Sequence, residues 1–290
     1  MRLLDRSAKM LTLPELGMGA DKLAMMKQVV NSPHGIVLVT GPTGSGKSTT
    51  LYAALMQVDR KDRNVMTIED PIEYQIPDVA QMQVKAKIGL DFASGLRSIL
   101  RQDPDIIMIG EIRDLETAEI AIQSSLTGHL VFATLHTNDA LSAIVRLQDM
   151  GVEPYLVASS LVMVQAQRLV RRLCPHCRKA RVLNNDDIQL LEATPSQIGN
   201  ITEIYEAVGC EHCLETGFSG RVAIYEMVNI SEDMRNIIHH GKGLLAMRKQ
   251  ARKESIQSLR QDGARHVLAG VTTVDEIVRV SQEETLVIEV

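Results

Sequence analysis

Short apolar runs alternate with helical patterns through the first half of the chain. Brief, uninterrupted apolar segments bounded by glycine or acid predict buried strands, at residues 35–41, 64–69, 105–110 and 129–135. Helical spacing follows at residues 47–57, 92–102, 115–126 and 138–151. Residues 79–86 alternate between apolar and polar positions, which predicts an edge strand. Strands that alternate with helices predict an α/β fold with a parallel, doubly wound sheet, whose ligands bind beyond the carboxyl ends of the strands.

The alternation stops after Tyr155. The apolar positions of residues 156–173 predict one long helix, and residues 178–209 predict a loop-rich insert. From Ser231 onward the pattern is helical, with breaks expected at four glycines: Gly241, Gly243, Gly263 and Gly270.

Cap residues mark where two of the predicted helices begin. Asp114 immediately precedes the helix at residues 115–126, and Asn138 is expected to cap the next helix, which ends at Gly151. Short polar side chains before an apolar-periodic segment are typical N-caps, and glycine is a typical residue after a helix end.

Composition narrows the class of protein. A chain of 290 residues can bury a sizeable core without staples. The net charge of −5 argues against a strongly basic nucleic-acid face. No apolar run approaches a membrane span and no signal-peptide pattern opens the chain, so we expect a cytoplasmic protein without membrane insertion.

The strongest motif, GPTGSGKST, lies between a predicted strand and a predicted helix. It fits G-x-x-x-x-G-K-[ST], and that context favours a phosphate-binding loop over a glycine-rich turn with an accidental lysine. Lys47 is expected to reach the β- and γ-phosphates, and the Ser48 hydroxyl to bind Mg²⁺. The expected nucleotide-binding residues are Gly41, Pro42, Thr43, Gly44, Ser45, Gly46, Lys47, Ser48 and Thr49.

Acidic residues follow the next two predicted strands. Three acids converge in TIEDPIEY: Glu69, Asp70 and Glu73. Pro71 fixes a turn that can aim Glu73 back at the site as a general base, although a solvated acidic turn is the alternative. In DIIMIGEIRD, Gly110 stands where many ATPases have an aspartate that acts on magnesium, and Glu111 follows it. We expect Gly110 to permit a close backbone approach and Glu111 to be the acid at the strand tip.

Two histidines bracket the strand at residues 129–135. His136, at its carboxyl end, is the better candidate for sensing the γ-phosphate. An extended strand would separate the two by about 20 Å, so His129 is expected in a hydrogen-bonding or capping role.

Arginines form a third group of candidates. Arg97 and Arg101 share one helix face, and Arg113 follows Glu111 closely. Each is either an ordinary surface charge or, at a subunit boundary, an arginine finger on the γ-phosphate.

The four cysteines form two C-x-x-C pairs, CPHC and CEHC. In a chain of this type the spacing favours metal over disulfides. Four thiolates close a tetrahedral Zn²⁺ site, so we expect a structural zinc, with the enclosed His176 and His212 outside its ligand set. The expected ligands are Cys174, Cys177, Cys210 and Cys213.

The order of these motifs resembles the ATPases of type II secretion and type IV pili, the GspE, PilB and PilT group. The phosphate loop, the acidic box at residues 67–74, the glycine–glutamate Walker B at residues 106–111 and the histidine box at residues 127–139 carry this resemblance. The tetracysteine insert is similar to that of the assembly and secretion branch, since retraction ATPases generally lack it.

The resemblance implies a RecA-like P-loop NTPase with a parallel-rich sheet, followed by a tetracysteine zinc insert and a helical C-terminal subdomain. The implied boundaries are 1–20 for a linker remnant from a missing N-terminal domain, 21–170 for the ATPase domain, 171–216 for the zinc-binding subdomain and 217–290 for the helical subdomain. Glu73 resembles the catalytic glutamate, and Glu111 the Walker B acid on magnesium and water. The reverse division of labour between the two stays open.

Further site residues follow from the same resemblance. His129 and His136 match the two family histidines. Four arginines match positions tied to subunit contacts or phosphate sensing: Arg97, Arg101, Arg113 and Arg221.

The implied function is an ATP-hydrolysing motor that uses ATP, Mg²⁺ and Zn²⁺. As a ring hexamer at the cytoplasmic face of the inner membrane, it would power protein secretion or pilus assembly through an inner-membrane platform. The alternatives are a retraction or conjugation-type NTPase and a nucleotide-gated scaffold with little turnover. A nucleic-acid motor is disfavoured by the acidic balance and the scarcity of aromatic residues.

Overall fold

A computed structural model describes residues 10–281 of the chain. Two compact units divide the chain. The first combines the residues up to Ala166 with Met227–Ile256, and the second combines Gln167–Glu226 with the residues from Gln257 onward.

The secondary structure is mixed. The strands are β1 Gly35–Thr40, β2 Val65–Glu69, β3 Ala80–Gln83, β4 Ile106–Ile109, β5 Leu130–Leu135, β6 Leu161–Leu173, β7 Lys179–Val182, β8 Glu203–Glu206 and β9 Phe218–Asn229. The α-helices are α1 Ala20–Val30, α2 Lys47–Leu55, α3 Phe92–Ile99, α4 Leu115–Leu126, α5 Ala140–Asp149, α6 Pro154–Ser160, α7 Asn185–Leu191, α8 Pro195–Ile198, α9 Glu232–His239, α10 Gly243–Lys253, α11 Leu259–Leu268 and α12 Val274–Ser281.

The main sheet has the strand order β3-β2-β4-β5-β1-β6-β9. From β3 to β6 all neighbours pair in parallel. This confirms the predicted α/β fold, with β3 at the edge as the alternation of residues 79–86 predicts. β1, β4 and β5 are buried along their whole length, which is why they appear in the sequence as continuous apolar runs. Because the strands from β3 to β6 are parallel, their carboxyl ends all lie on the same side of the sheet.

The prediction of a single helix over residues 156–173 is wrong. Helix α6 ends at Ser160, and the chain continues as β6, which pairs in parallel with β1. The first half of β6 is buried on both faces, so no alternating stripe appears. An apolar run buried on all sides has the same appearance in a helix and in a strand, and the need of β1 for a second partner decides between them.

The C-terminal region divides differently from the predicted subdomain at residues 217–290. Helices α9 and α10 belong to the first unit, whereas α11 and α12 belong to the second. Gly263 lies inside α11 and is not a break. A glycine fits this position because a Cβ there would lie only 2.7 Å from the side chain of Ile277. The insert between the cysteine pairs also has more regular structure than expected, since it contains β7, α7, α8 and β8.

The first nine residues of the predicted linker lie outside the described range, and the rest includes a 3₁₀ turn at Leu13–Leu16. Among residues 10–281, no helix combines the length and the apolar character that crossing a membrane requires.

Candidate functional site

The phosphate-loop motif lies at the carboxyl end of β1. Its glycines Gly41, Gly44 and Gly46 all have positive φ angles, of 146°, 79° and 88°, which a side chain would disfavour. Helix α2 begins directly after Gly46, so the N–H groups of its first turn face the loop. Lys47 Nζ donates to the carbonyl oxygens of Gly41 at 2.7 Å and Pro42 at 3.1 Å, which folds the ammonium group back over the loop. The arrangement is a cradle for an anion.

The hydroxyl groups of Thr40 and Thr137 lie 2.8 Å apart and join the ends of β1 and β5 beside this loop. Thr40 Oγ1 accepts a hydrogen bond from the Thr137 backbone N–H at 2.8 Å and lies 3.1 Å from the carbonyl oxygen of Leu135. Helix α5 then begins after Asp139, whose carboxylate accepts from the Ser142 N–H at 2.7 Å. The N-cap is therefore Asp139 and not the predicted Asn138.

Charged side chains from three strand ends meet on the side of the sheet that carries the phosphate loop. His136 Nε2, after β5, lies 2.7 Å from Glu111 Oε1, after β4. Arg113 pairs with the same carboxylate and lies 3.8 Å from Asp70, after β2. The structure thus brings together Glu111, His136 and Arg113, three of the predicted site residues, with Asp70, one of the three acids expected to converge after β2.

Gly110 allows the close approach that its position predicts. Its N–H donates to the carbonyl oxygen of Ile68 at 2.7 Å, which extends the pairing of β2 and β4 by one residue. A Cβ at this position would lie 3.2 Å from that oxygen and 3.3 Å from Glu69 Cα. Both are backbone atoms, so a side chain would push the two strand ends apart.

The acidic turn after β2 rests on a buried polar network. Glu69 is 3% exposed and accepts hydrogen bonds from the Tyr52 hydroxyl, from Thr67 Oγ1 at 2.5 Å and from Gln81 Nε2 at 3.0 Å. The Tyr52 hydroxyl also accepts from the Glu73 backbone N–H at 3.2 Å. Burial and the neighbouring Glu69 carboxylate both raise the pKa of Tyr52, so its hydroxyl stays protonated. The Asp70–Pro71 peptide bond within the turn is cis.

Sequence reasoning missed Tyr52 and grouped Glu69 with the acids that converge on the ligand. A tyrosine in the helix after a phosphate loop resembles any core aromatic residue, so the sequence carries no signal for this network. Only its position five residues after Lys47 placed it close to the site.

A small cavity lies against the first turns of α2. Its volume is about 170 Å³, and its lining is apolar and aromatic apart from one threonine: Met10, Leu11, Thr49, Tyr52 and Tyr74.

His129 lies at the opposite end of the strands, where β1 and β5 begin. Its backbone carbonyl accepts from Gly35 N–H, at the start of β1, and its ring Nδ1 lies 2.8 Å from the carbonyl oxygen of Ser124 near the end of α4. The hydrogen-bonding position expected for it is therefore present. The structure does not bring it to the phosphate loop with His136.

Three of the predicted arginines lie outside the cluster. Arg97 on α3 pairs with Glu116, and both side chains are more than half exposed. Arg101 is exposed in the turn that follows α3. Arg221 is exposed on β9 in the second unit.

The four cysteines converge in the second unit. Their sulfur atoms all lie within 4.8 Å of one another, at 3.9 Å for Cys174–Cys210, 3.9 Å for Cys177–Cys213 and 3.7 Å for Cys210–Cys213. A tetrahedral Zn²⁺ with sulfur ligands at about 2.3 Å requires sulfur–sulfur separations of about 3.8 Å. The cluster is compatible with zinc.

Backbone N–H groups surround these sulfur atoms. Burial opposes ionisation of Cys213, but hydrogen bonds from the N–H groups of Cys210 and Gly217 outweigh it and lower its pKa to about 7. The rings of His176 and His212 are exposed and pack on each other with centroids 4.3 Å apart, so they lie outside the thiol cluster as expected.

The chain is similar in sequence and in fold to known proteins. The chain is 53% identical over 283 residues to the type II secretion system protein HxcR of Pseudomonas aeruginosa, across 98% of this chain and 56% of that protein. It is 49% identical over 280 residues to the type IV pilus assembly ATPase PilB of Myxococcus xanthus, across 96% of this chain and 49% of that protein. The solved structure of the pilus retraction motor PilT with bound ADP matches with a TM-score of 0.72 at 28% identity, across 97% of this chain and 69% of that chain.

The chain spans about half the length of the curated relatives it matches. A family described as Type II/IV secretion system protein matches residues 1–279. Because this match covers nearly the whole chain, the chain belongs to the type II/IV secretion system protein family.

Proposed function

We propose that this chain is the ATP-hydrolysing motor portion of a machine that secretes proteins or assembles a pilus or pseudopilus. The observation that carries the proposal is the meeting of two groups at one sheet edge. The phosphate loop with Lys47 ends β1, and the ion-paired Glu111 and His136 end the neighbouring strands β4 and β5. Phosphoryl transfer needs such a combination of phosphate cradle, acid and γ-phosphate sensor.

Each side chain has a role in this proposal. Lys47 leaves its loop carbonyls to bind the β- and γ-phosphates, and Glu73 takes the proton of the attacking water. Ser48 and Glu111 would hold Mg²⁺, which supplies charge neutralisation of the transferred phosphoryl group when bound. His136 reports on the γ-phosphate through its contact with Glu111. The reverse assignment, with Glu111 on the water and Glu73 on the metal, predicts the same loss of hydrolysis when either is changed.

We assign the nucleotide base to the cavity beside α2. Its lining by Met10, Leu11 and the ring of Tyr74 suits the flat face of a base, and Thr49 is part of the phosphate-loop motif.

Support for the larger machine comes from the relatives. The identity to secretion and pilus-assembly proteins is 49–53%, against 28% to the retraction motor, which favours assembly or secretion over retraction. The proposed partners are identical copies in a ring hexamer and an inner-membrane platform at its cytoplasmic face. In a ring, the exposed Arg97, Arg101, Arg113 and Arg221 are available for contacts with a neighbouring subunit or its γ-phosphate.

The cysteine cluster is assigned to a structural Zn²⁺. Four thiolates fill a tetrahedral shell and leave no open position for catalysis.

Steady-state phosphate release tests the motor against the nucleotide-gated scaffold. We expect slow hydrolysis whose rate per chain rises with protein concentration. Glu73→Gln and Glu111→Gln should each lower kcat by about 100-fold or more while ATP still binds. Glu119→Gln, an exposed acid on α4, is the control that should keep the rate of the unchanged chain. ATP binding without measurable phosphate release by the unchanged chain would support the scaffold and contradict the motor.

A further inference from the structure

The acidic turn that carries Glu73 is tied to the helix that carries the phosphate-binding lysine. Tyr52 lies about one and a half turns after Lys47 on α2. Its hydroxyl oxygen accepts a hydrogen bond from the Glu73 backbone N–H at 3.2 Å, and the same hydroxyl donates a hydrogen bond to the Glu69 carboxylate. One side chain thus links the base of the phosphate loop to the peptide group that sets the direction of Glu73.

The geometry leaves this hydroxyl a single orientation. Tyr52 is 2% exposed and Glu69 is 3% exposed, so water does not compete for either group. A carboxylate accepts hydrogen bonds only, so the Tyr52 hydroxyl must donate to Glu69, and its lone pairs then face the turn. Bonds to a charged group in a buried setting are about twice as strong as neutral ones, which holds the ring and its oxygen in place.

The other oxygen of Glu69 extends the support to the edge of the sheet. It accepts from Thr67 Oγ1 and from Gln81 Nε2 on β3. Gln81 in turn holds both sides of the later turn, since Nε2 donates to the Tyr74 carbonyl at 3.0 Å and Oε1 accepts from the Ile76 N–H at 2.8 Å. The turn is therefore held at Glu73, Tyr74 and Ile76, and all three attachments lead back to Glu69.

We propose that Tyr52, oriented by buried Glu69, is the positioning residue that holds Glu73 in line with the triphosphate. This inference rests on the proposed ATP hydrolysis and names the connection through which α2 and the acidic turn keep a common geometry. Tyr52 itself touches neither water nor phosphate. Glu69 orients Tyr52 and takes no part in proton transfer.

The test removes the hydroxyl and keeps the ring. Tyr52→Phe should lower kcat by about 10-fold or more, since a displaced general base loses much of its roughly 10²- to 10⁴-fold contribution, and should leave the ATP dissociation constant within about twofold. Tyr155→Phe removes a hydroxyl from a half-exposed ring on α6 and should change neither quantity. Circular dichroism and ATP affinity show whether each variant is folded.

A double-mutant cycle with Glu73→Gln separates positioning from general structural damage. If Tyr52 acts through Glu73, adding Tyr52→Phe to Glu73→Gln should cause less than about a twofold further loss in single-turnover hydrolysis. A full 10-fold further loss, or an unchanged kcat in Tyr52→Phe alone, would overturn the inference. Should Tyr52→Phe fail to fold, Glu69→Gln, which removes the charge at nearly constant shape, must show the same kcat loss and the same lack of additivity.

The two levels of the proposal fail in different ways. If Glu73→Gln retains full activity, the assigned chemistry is wrong whatever Tyr52 does. If Glu73→Gln is inactive and Tyr52→Phe is fully active, the proposed function stands and only the positioning role is wrong.

Discussion

At the tip of β4 a glycine stands where many phosphate-loop ATPases have an aspartate. The structure gives the physical reason in this chain: the backbone of β2 approaches Gly110 so closely that a Cβ would lie 3.2–3.3 Å from two backbone atoms. The acid nearest to this strand tip is Glu111, the next residue, and His136 and Arg113 contact it.

Substitution of Gly110 should therefore damage both stability and activity. Gly110→Ala is expected to lower the free energy of unfolding by about 1–3 kcal/mol, because backbone and not a flexible side chain must move. Gly110→Val should cost more, since it adds two further carbons at a position where a Cβ is already crowded. Urea denaturation measures the stability, and an alanine variant as stable as the unchanged chain would contradict the close approach.

A second residue-scale feature is a buried histidine in the second unit. His266 is 5% exposed, with Nε2 3.2 Å from the Ala223 carbonyl oxygen. Burial, together with the positive charge of Arg265, lowers its pKa from 6.5 to about 4, against the opposing influence of Asp262. Folding therefore selects the neutral ring.

The sign of the pH dependence follows from this shift. Between pH 6.5 and about 4 the unfolded chain binds a proton that the folded chain does not, so stability falls as pH falls through that window. The slope from one such group is at most about 1.4 kcal/mol per pH unit. We expect His266→Gln to flatten the stability profile from about pH 6.5 to 4.5, measured by urea denaturation, whereas His239→Gln, at an exposed position, should leave it unchanged. An equal slope in both variants would count against the prediction.

The carboxyl group of Glu276 titrates at lower pH than His266, so it does not contribute to the stability slope above pH 4.5. It is 2% exposed, and hydrogen bonds from Arg279 and Arg171 overcome the effect of burial and lower its pKa to about 2. The stability from this pairing is present above pH 4.5 and is lost as pH falls from 4.5 towards 2. Above pH 4.5 the slope therefore reports on His266 and not on Glu276.

At the scale of elements, helix caps show where local patterns succeed and where they slip by one residue. Asp114 caps α4 as predicted, with its carboxylate accepting the Thr117 N–H at 2.8 Å. For α5 the sequence offers two adjacent cap residues, Asn138 and Asp139, and the structure uses the second.

This difference is measurable. Asp139→Ala should lower the free energy of unfolding by about 1 kcal/mol, because it removes the acceptor for Ser142 N–H and Ser142 Oγ. The matched variant Asn138→Ala changes the adjacent residue and should cost clearly less. Thermal unfolding of the two variants compares the costs, and an equal or larger cost for Asn138→Ala would support the predicted cap instead.

At the scale of the whole molecule, the candidate nucleotide site and the candidate metal site lie in different units. The phosphate loop and the acid–histidine cluster belong to the first, and the thiol cluster belongs to the second. Both units are built from segments far apart in the sequence, since α9 and α10 return to the first and α11 and α12 to the second.

Metal removal should separate these two parts experimentally. Elemental analysis is expected to find about one zinc per chain, and a strong chelator or Cys213→Ser should remove it and lower the melting temperature. ATP affinity should persist, because the phosphate loop lies in the other unit. His176→Ala is the control that should retain the metal, since its ring lies outside the thiol cluster. A zinc-free chain, or zinc lost with His176, would contradict the four-thiolate assignment.

Several features of the fold and of the candidate site could be predicted from the sequence alone. The alternation of strands and helices, the phosphate loop and the close approach at Gly110 all follow from residue type and short spacing. These features depend on neighbours in the chain or on a strand end that the α/β pattern already locates. Residue type and spacing were therefore sufficient to predict them.

The tertiary structure alone decided the rest. It made residues 161–173 a strand beside β1, divided the C-terminal helices between two units, and brought Tyr52, Glu69 and Glu73 into one network. In each case the outcome depends on partners that are distant in the chain, and on burial that removes the amphipathic signal or hides a polar group among apolar ones. Local propensity does not contain that information, because the free energy that decides it comes from long-range pairing and desolvation.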